Sequence, residues 1–436
     1  MNRNRVFVAV ASLALVLLSW NVFAITDEEI YRNFQFSFQN PGARSTAMGG
    51  AFIGLADDAT AAEANPAGLT ILTKPEVSFE YRNTQWDNNF LNSFNQIIRG
   101  VADITSKNNL DDINQLSWLS VVFPSEHVTA GFSRQEVLNV KGNLDETLGI
   151  NLGTIDNPIF VDFVSRASTE QKIVNWNFSL ASKLSKTFSL GLTLRYSQLD
   201  FKSDIQNFTI VGPTEVPAFR TTVNDTDNKF AYNIGALWNA NKHFSIGAVY
   251  KKNPKFEVQG VETETGPPHS AQKPGPFPNV FKVPDNYGFG VSIKPNDNMT
   301  ISADYQRIEY SDLLEGFQAG YNIFTDLLDN NDIKYKISDA NEFHVGAEFI
   351  VFLKTVPVAL RQGYYRRPSN SLVVDTLAPQ FAGSRNFLDT IFAKRDDENH
   401  FTFGGGAVFG PHFQLDFALD LANTSDSFVL SSVVRF

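Results

Sequence analysis

The sequence predicts an all-β protein: a 14-stranded antiparallel transmembrane β-barrel with an N-terminal hatch, or plug, inside the lumen. Three observations carry this. Segments of about ten residues alternate apolar and polar side chains along most of the chain. The connections between them are short and long in turn. The chain stops on Phe436, at the tip of one such segment. A period of two is the signature of a strand, and connections that alternate in length belong to a barrel with one periplasmic and one extracellular rim.

Residues 1–24 read as a signal peptide, with Arg3 and Arg5 before an apolar core "VFVAVASLALVLL" and Val22-Phe23-Ala24 as the cleavage site. That core is short for a membrane span, so the mature chain is expected to start near Ile25. The absence of cysteine excludes disulfides, thiolate metal sites and cysteine nucleophiles. Lys and Arg number 36 against 47 Asp and Glu, a net charge of −11, and no basic stripe offers a footprint for nucleic acid. Beyond residue 24 no run of about 18 apolar residues forms a spanning helix. The 39 phenylalanines are a heavy aromatic load, and they suit a lipid-facing surface.

Alternation gives strands at 76–84, 115–123, 128–137, 172–183, 187–198, 229–239, 243–252, 284–294, 299–309, 338–349, 355–366, 399–409, 412–422 and 426–436. In "FSLGLTLRYSQL", Phe188, Leu190, Leu192, Leu194 and Tyr196 share one face and Ser189, Thr193, Arg195 and Ser197 the other. The short joints are "PSEH", "LSKT", "ANKH", "PNDN", "VFLK", "GPH" and "NTSD"; the other six joints are long and polar. An even strand count puts both chain ends in the periplasm. Trp176, Tyr196, Tyr232, Tyr250, Tyr287 and Tyr305 fall near long-loop ends, and Trp238, Phe244, Phe349, Phe409 and Phe413 near short-turn ends. Two aromatic girdles of this kind mark the bilayer interfaces. The expected surroundings are outer-membrane lipid and lipopolysaccharide. The terminal Phe436 resembles the signal that barrel-insertion machinery reads.

A fourteen-strand cylinder is too wide for its side chains alone to fill. Residues 25–75 precede the barrel (76–436), start on the periplasmic side and carry few bulky groups from 42 to 69, so they are expected to enter the lumen from below. Within them "DDATAAEAN" predicts two turns of helix, N-capped by Asp57 or Asp58 and ended at Asn65 by Pro66.

The stretch "GARSTAMGGAFIGLADDATAAEANPAGL", with Gly49-Gly50 and Asn65-Pro66-Ala67, resembles the hatch of the FadL/TodX family of outer-membrane transporters for long-chain fatty acids and aromatic hydrocarbons. "VPDNYGFGVSIKPNDNMTISADYQRIEYSD" (283–312) is similar to that family's eighth and ninth strands. The resemblance implies capture of a hydrophobic small molecule between outer loops, passage to a lumenal site and lateral escape at a kink in the third strand. Gly131 in "VTAGFSRQEV" is the residue of that strand suited to a kink, although glycine in barrel strands also serves simply to ease bending. The hatch wording is shared with barrels resembling PorV, so a secretion-associated barrel that binds a partner protein is one alternative, and a general porin another.

No catalytic constellation emerges. His127, His243 and His412 fall in short turns and His269 in a proline-rich loop; His344 alone is expected to face the lumen, with His400 near a rim. No serine or carboxylate recurs beside them as a triad, and "FGGG" (403–406) lacks the following helix and Lys-Ser/Thr pair of a phosphate loop. No enzyme activity, cofactor or metal is expected. Lumen-facing charges are expected to pair across the barrel; alternatively, Arg195 or Arg361 holds a ligand carboxylate by a forked contact. Phe208, Ile210 and Phe219 in the third long connection, and Phe277 with Phe281 in the fourth, are suited to a greasy ligand or to packing on each other. The alternation of joints predicts that a tag in residues 295–298 is periplasmic and one in 262–278 is surface-exposed. Protease added to intact cells should cut only the second; cleavage at the first would invert the topology.

Overall fold

The computed structural model describes residues 38–87, 95–98, 102–151, 160–211, 214–264, 276–315, 333–379, 385, 389 and 392–436. The expected signal peptide and the first part of the expected hatch lie outside the described residues. Fourteen strands form the wall: β1 (Glu76–Trp86), β2 (Ile113–Pro124), β3 (Val128–Asn151), β4 (Phe160–Lys183), β5 (Phe188–Val211), β6 (Thr214–Asn241) and β7 (Phe244–Lys252). They continue as β8 (Asn286–Asn296), β9 (Met299–Ile308), β10 (Ala340–Leu353), β11 (Val356–Arg367), β12 (Glu398–Phe409), β13 (Phe413–Leu421) and β14 (Ser425–Arg435). Each pairs antiparallel with its neighbours in sequence, and β14 closes on β1 from Glu76↔Arg435 to Trp86↔Ser425.

Every strand expected from alternation is present, but β3 to β6 run to 24–28 residues, well past the expected limits. The bilayer demands alternation only over its own thickness. Above it both faces of a strand meet water or other loops, so the pattern fades while the hydrogen-bond ladder continues. Segments expected as loops join this tower: Ala102–Leu110 pairs with the upper part of β3, and Lys255–Glu264 pairs with β6 and with Pro276–Lys282.

The two faces sort as alternation requires. Leu190, Leu192, Leu194 and Tyr196 are exposed on the outer face, while Ser189, Thr193, Arg195 and Ser197 are buried inside. His400 departs from expectation. It points into the lumen, with Nδ1 2.9 Å from Asp420 Oδ1, because the alternation of β12 puts it on the same side as Thr402.

Bulges in β2 and β3 bear on the site. In β2 the register with β1 passes from Glu80↔Trp118 to Tyr81↔Leu116, leaving Ser117 as the extra residue. Ser117 and Trp118 therefore both face inward, and Trp118 packs on the hatch with Ala59, Leu69 and Leu72. In β3 the register with β4 shifts between Glu136 and Leu138. Gly131, by contrast, pairs with Val122 and Ser179 in unbroken ladders; the irregularity of this strand lies at Val137. The β2–β3 ladder runs from Pro124↔Thr129 to Trp118↔Gln135 and stops there. Beyond that point Arg134 Nη1 bridges to the Leu116 carbonyl at 2.7 Å.

Residues 38–75 fill the lumen from its lower part. They contain α1 (Ala43–Ala47), α2 (Ala61–Ala64) and a 3-10 turn, Pro66–Ile71. The expected two-turn helix is one turn. The Asp58 side chain accepts from Thr60 N at 2.9 Å and from Thr60 Oγ1, an Asx-type turn that delays the helix to Thr60. Asp57 is drawn away to Arg44 and Lys294. The stop is where expected: Asn65 is extended (φ −162°), Pro66 opens the 3-10 turn, and the Asn65 side chain accepts from Ala67 N at 3.2 Å.

The hatch rests directly on the backbone of the wall. A Cβ on Gly191 would lie 2.3 Å from Ala67 N, and one on Gly235 2.1 Å from Asn65 Oδ1. On the hatch side, Gly49 and Gly50 turn the chain at φ 64° and 74°, a region costly for other residues. Gly191→Val should therefore dislodge the Asn65–Ala67 turn, because the atoms it meets are main chain and cannot rotate away. Overpacking of this kind costs about 1–3 kcal/mol. The variant is expected to keep its heat-modifiable barrel while the hatch becomes cleavable by periplasmic protease; an uncleaved hatch would show that the contact is not tight.

Candidate lumenal binding site

Above the hatch lies a partly open cavity. Its floor is the hatch at Pro41 and Glu63, its apolar wall includes Leu138, Ile173 and Val283, and it reaches the bulge at Val137. Through Leu138, Ile173 and Val283 the lining merges with the largest apolar cluster described, in which Leu199, Phe201, Phe256, Phe281 and Tyr310 come from the strand tops and the segments between them. Phe38 meets Tyr310 edge-on at 6.1 Å between ring centroids.

The polar end of the cavity is built around Glu63 of α2. Its Oε1 accepts from Arg195 Nη2 at 3.1 Å and from Lys251 Nζ at 2.8 Å. Asn253 Oδ1 takes Arg195 Nη1 at 2.8 Å, and Asn233 bonds both Arg195 and Glu63. Burial works against the charge on Glu63, yet Arg195 and Lys251, with the Lys251 and Asn233 hydrogen bonds, hold its carboxyl below the ordinary range. The arrangement is two cations from the wall sharing one anion from the hatch. Arg195 Nε is buried and has no hydrogen-bond partner, as are the amide oxygens of Gln135, Asn175 and Asn286 on the same cavity wall.

A second polar group ties the start of the described hatch to the wall. Gln39 bonds Tyr365, Asp420 and Arg82. The Tyr365 ring is stacked between His344 at 4.9 Å and His400 at 4.1 Å, with interplanar angles of 11° and 13°. His344 Nδ1 also lies 2.7 Å from the Gly49 carbonyl.

The residues singled out from sequence are therefore split. Arg195 is in the cavity wall. Arg361 is not: its Nε bonds Glu348 Oε2 and its Nη1 Asp416 Oδ1, each at 2.7 Å, and Glu348 is also gripped twice at 2.9 Å by Arg44 of the hatch. Asn65, Pro66, Ala67, Gly49 and Gly50 are all at the hatch–wall contact. Phe208 and Ile210 sit on the upper extension of β5, Phe208 beneath the Arg166 guanidinium at 5.0 Å, and neither borders the cavity. The backbones of Phe219 and Phe277 pair with Asn207 and Gly260 in the tower; their side chains lie outside the described residues. Phe281 packs into the apolar cluster.

Glu63, Trp118 and the Val137 bulge were not foreseen. Glu63 had one visible signal, as the single acid within the alanine-rich run 59–64 of the plug. Among the described residues the carboxylates of Asp285, Glu309 and Asp312 converge closely enough for a metal ion, but Lys252 and Lys282 already neutralise Asp285.

Residues 31–371 match the family model described as outer membrane protein transport protein (OMPP1/FadL/TodX). No curated protein sequence matches the chain. Among solved structures, the Ralstonia pickettii toluene transporter TbuX superposes with a TM-score of 0.57 at 16% identity, covering 92% of this chain and 99% of that one. The Pseudomonas putida toluene transporter TodX gives 0.56 at 12% over 92% and 99%. A Pseudomonas aeruginosa FadL homologue gives 0.56 at 12% over 92% and 98%. At these identities the likeness is one of fold, and it agrees with a hatch-bearing fourteen-strand wall. With most of its length under the family model, the chain belongs to the OMPP1/FadL/TodX family of outer-membrane transport proteins.

Proposed function

We propose that this outer-membrane barrel takes up hydrophobic compounds, of the long-chain fatty acid or aromatic hydrocarbon class, through the cavity above the hatch. The observation that carries the reading is a single space with an apolar lining, a sealed floor and a side that ends at a break in the wall. A molecule entering from the loop end meets apolar side chains first. The hatch closes the direct route to the periplasm. Beyond Gln135 the strands β2 and β3 no longer share a ladder, and the cavity borders Ile113 on one and Val137 to Val140 on the other. Escape sideways into the outer leaflet's hydrocarbon follows from that geometry. A general porin has no use for a lumen filled by close-packed backbone, and nothing in the tower favours a dedicated protein partner.

In this reading Arg195, not Arg361, faces an acidic ligand. A fatty carboxylate reaching the floor of the cavity competes with Glu63 for the Arg195–Lys251 pair. A charge-assisted hydrogen bond is worth about 1.5–3 kcal/mol, so Arg195→Gln should weaken a long-chain fatty acid roughly tenfold to a hundredfold and leave an uncharged hydrocarbon of equal length nearly unchanged. Titration of the purified barrel with both ligands decides it; equal losses would remove Arg195 from the site. Deleting Val137 should restore a regular β3, preserving binding while slowing uptake into cells. Unchanged uptake would rule out exit at that bulge.

A further inference from the structure

The outer face of β9 to β12 carries the same five-residue unit twice. On β9 and β11 it reads Tyr-x-Arg (Tyr305 and Arg307; Tyr364 and Arg366), and on the following strand Asp-x-Asn-x-Phe (Asp339, Asn341, Phe343; Asp397, Asn399, Phe401). Most of the geometry repeats as well, the difference being that Arg307 Nη1 also donates to Asn341 Oδ1 at 3.2 Å. Tyr305 Oη donates to Asn341 Oδ1 at 2.8 Å, and Tyr364 Oη to Asn399 Oδ1 at 2.7 Å. Arg307 Nη2 is 2.7 Å from Asp339 Oδ2, and Arg366 Nη2 is 2.5 Å from Asp397 Oδ2. The Tyr–Phe ring centroids are 5.3 Å apart in both copies, at 53° and 50°. The other oxygen of each aspartate accepts from a backbone N–H, Ser311 at 3.0 Å and Ser369 at 2.9 Å. The direct pair Phe343↔Arg366 joins the two copies into one patch.

We infer that this patch binds a phosphorylated glycolipid headgroup of the outer leaflet. Its level in the membrane follows from its own side chains. Phe343 and Phe401, 62% and 54% exposed, point to lipid on the side of the short turns, and the charged pairs lie toward the long-loop rim. The patch is thus continuous with the hydrocarbon-facing wall below and with the tower above, at the height where headgroups begin. Exposed ion pairs contribute little to stability, so stability does not account for two matching copies. What the aspartates do is hold each guanidinium still. Arg366 remains largely exposed, with Nε and Nη1 turned to no protein partner among the described residues. A fixed guanidinium presents a fork to a phosphate oxygen pair.

The composition favours a sugar-based lipid over a simple phospholipid. Strand spacing and rise place the two arginines roughly 12 Å apart, a separation suited to two phosphates on one disaccharide and not to a single phosphodiester. Asn341 and Phe343 lie between the two arginines, and the carboxylate and amide oxygens beside each arginine can accept hydrogen bonds from sugar hydroxyls. A third hairpin supplies a contrast. β1–β2 has the same Tyr–Asn bond, Tyr81 to Asn114 at 2.6 Å, but Asn83 stands in the arginine's place. It should anchor at the interface without holding phosphate.

The test is lipid retention by the full-length barrel purified in mild detergent. After delipidation the protein is offered a hexa-acylated diphosphoryl glucosamine disaccharide, phosphatidylglycerol, or both, and adducts are counted by native mass spectrometry. The wild type should retain the disaccharide lipid at least tenfold over phosphatidylglycerol. Arg307→Gln with Arg366→Gln should abolish that preference, and Asn83→Ala should not alter it. Heat-modifiable mobility checks that each variant is folded. If the double glutamine variant does not fold, Arg307→Lys with Arg366→Lys keeps the charges but loses the fork and should lower retention several-fold. Equal retention by wild type and folded variants, or equal binding of phosphatidylglycerol, would overturn the proposal. Uptake is not measured, so the result stands apart from the transport reading.

Discussion

The structure depends on main chain lying against main chain across the lumen. The hatch main chain reaches the wall at positions where the wall has no side chain: Ala67 over Gly191, Ile53 over Gly247, Met48 over Gly346, Gly49 over Gly363. Contact this close excludes water along the seam, and the polar groups it buries need partners. Several find them, although Ser45 Oγ and Asp304 Oδ1 do not. Asn65 Nδ2 serves the carbonyls of Ile53 and Ala236 at 3.0 Å each, and Thr402 Oγ1 serves Ala47 at 3.1 Å. The ionic groups follow the same rule. Arg44 of the hatch and Arg361 of the wall meet on Glu348, with Asp57 and Asp416 completing the charge balance. Breaking a buried pair on one side costs about 3–5 kcal/mol, so this seam is hard to part.

That seam decides where a ligand can be. Below it, at the level of Arg361, the lumen is occupied by paired charges. Above it, Glu63 reaches up from α2, and Arg195 and Lys251 lean on it from the wall. The cavity begins there and spreads toward β3, because β2 and β3 each carry an extra residue on that side. The bulge at Ser117 turns Trp118 down onto the hatch, and the bulge at Val137 shifts the register of β3 against β4 by one residue. Floor, polar end and side opening are thus three consequences of how one small-residue segment is seated.

The barrel was legible because a bilayer forces a two-residue period on every crossing strand, and nothing else in the chain overrides it. The lengths of β3 to β6 were not, since above the membrane the ladder persists without the pattern. The helix stop at Asn65-Pro66 was legible from backbone chemistry alone. The start was not, because Asp57 and Asp58 look equally fit to cap until Arg44 claims one of them. Alternation placed Arg195 and Arg361 in the lumen on equal terms. Only the height of the hatch separates them, and height is a tertiary fact. The bulges left no mark either: a single extra residue changes which face a side chain takes without changing composition.

The central claim is that the seated hatch closes the lumen while the barrel stands independently around it. Single-channel recording in planar bilayers tests this most directly, comparing the mature protein with a form lacking residues 25–70. The account predicts a nearly silent mature protein and steady ohmic conductance after the deletion, with the shortened barrel still heat-modifiable. A mature protein that conducts like an open pore would contradict it.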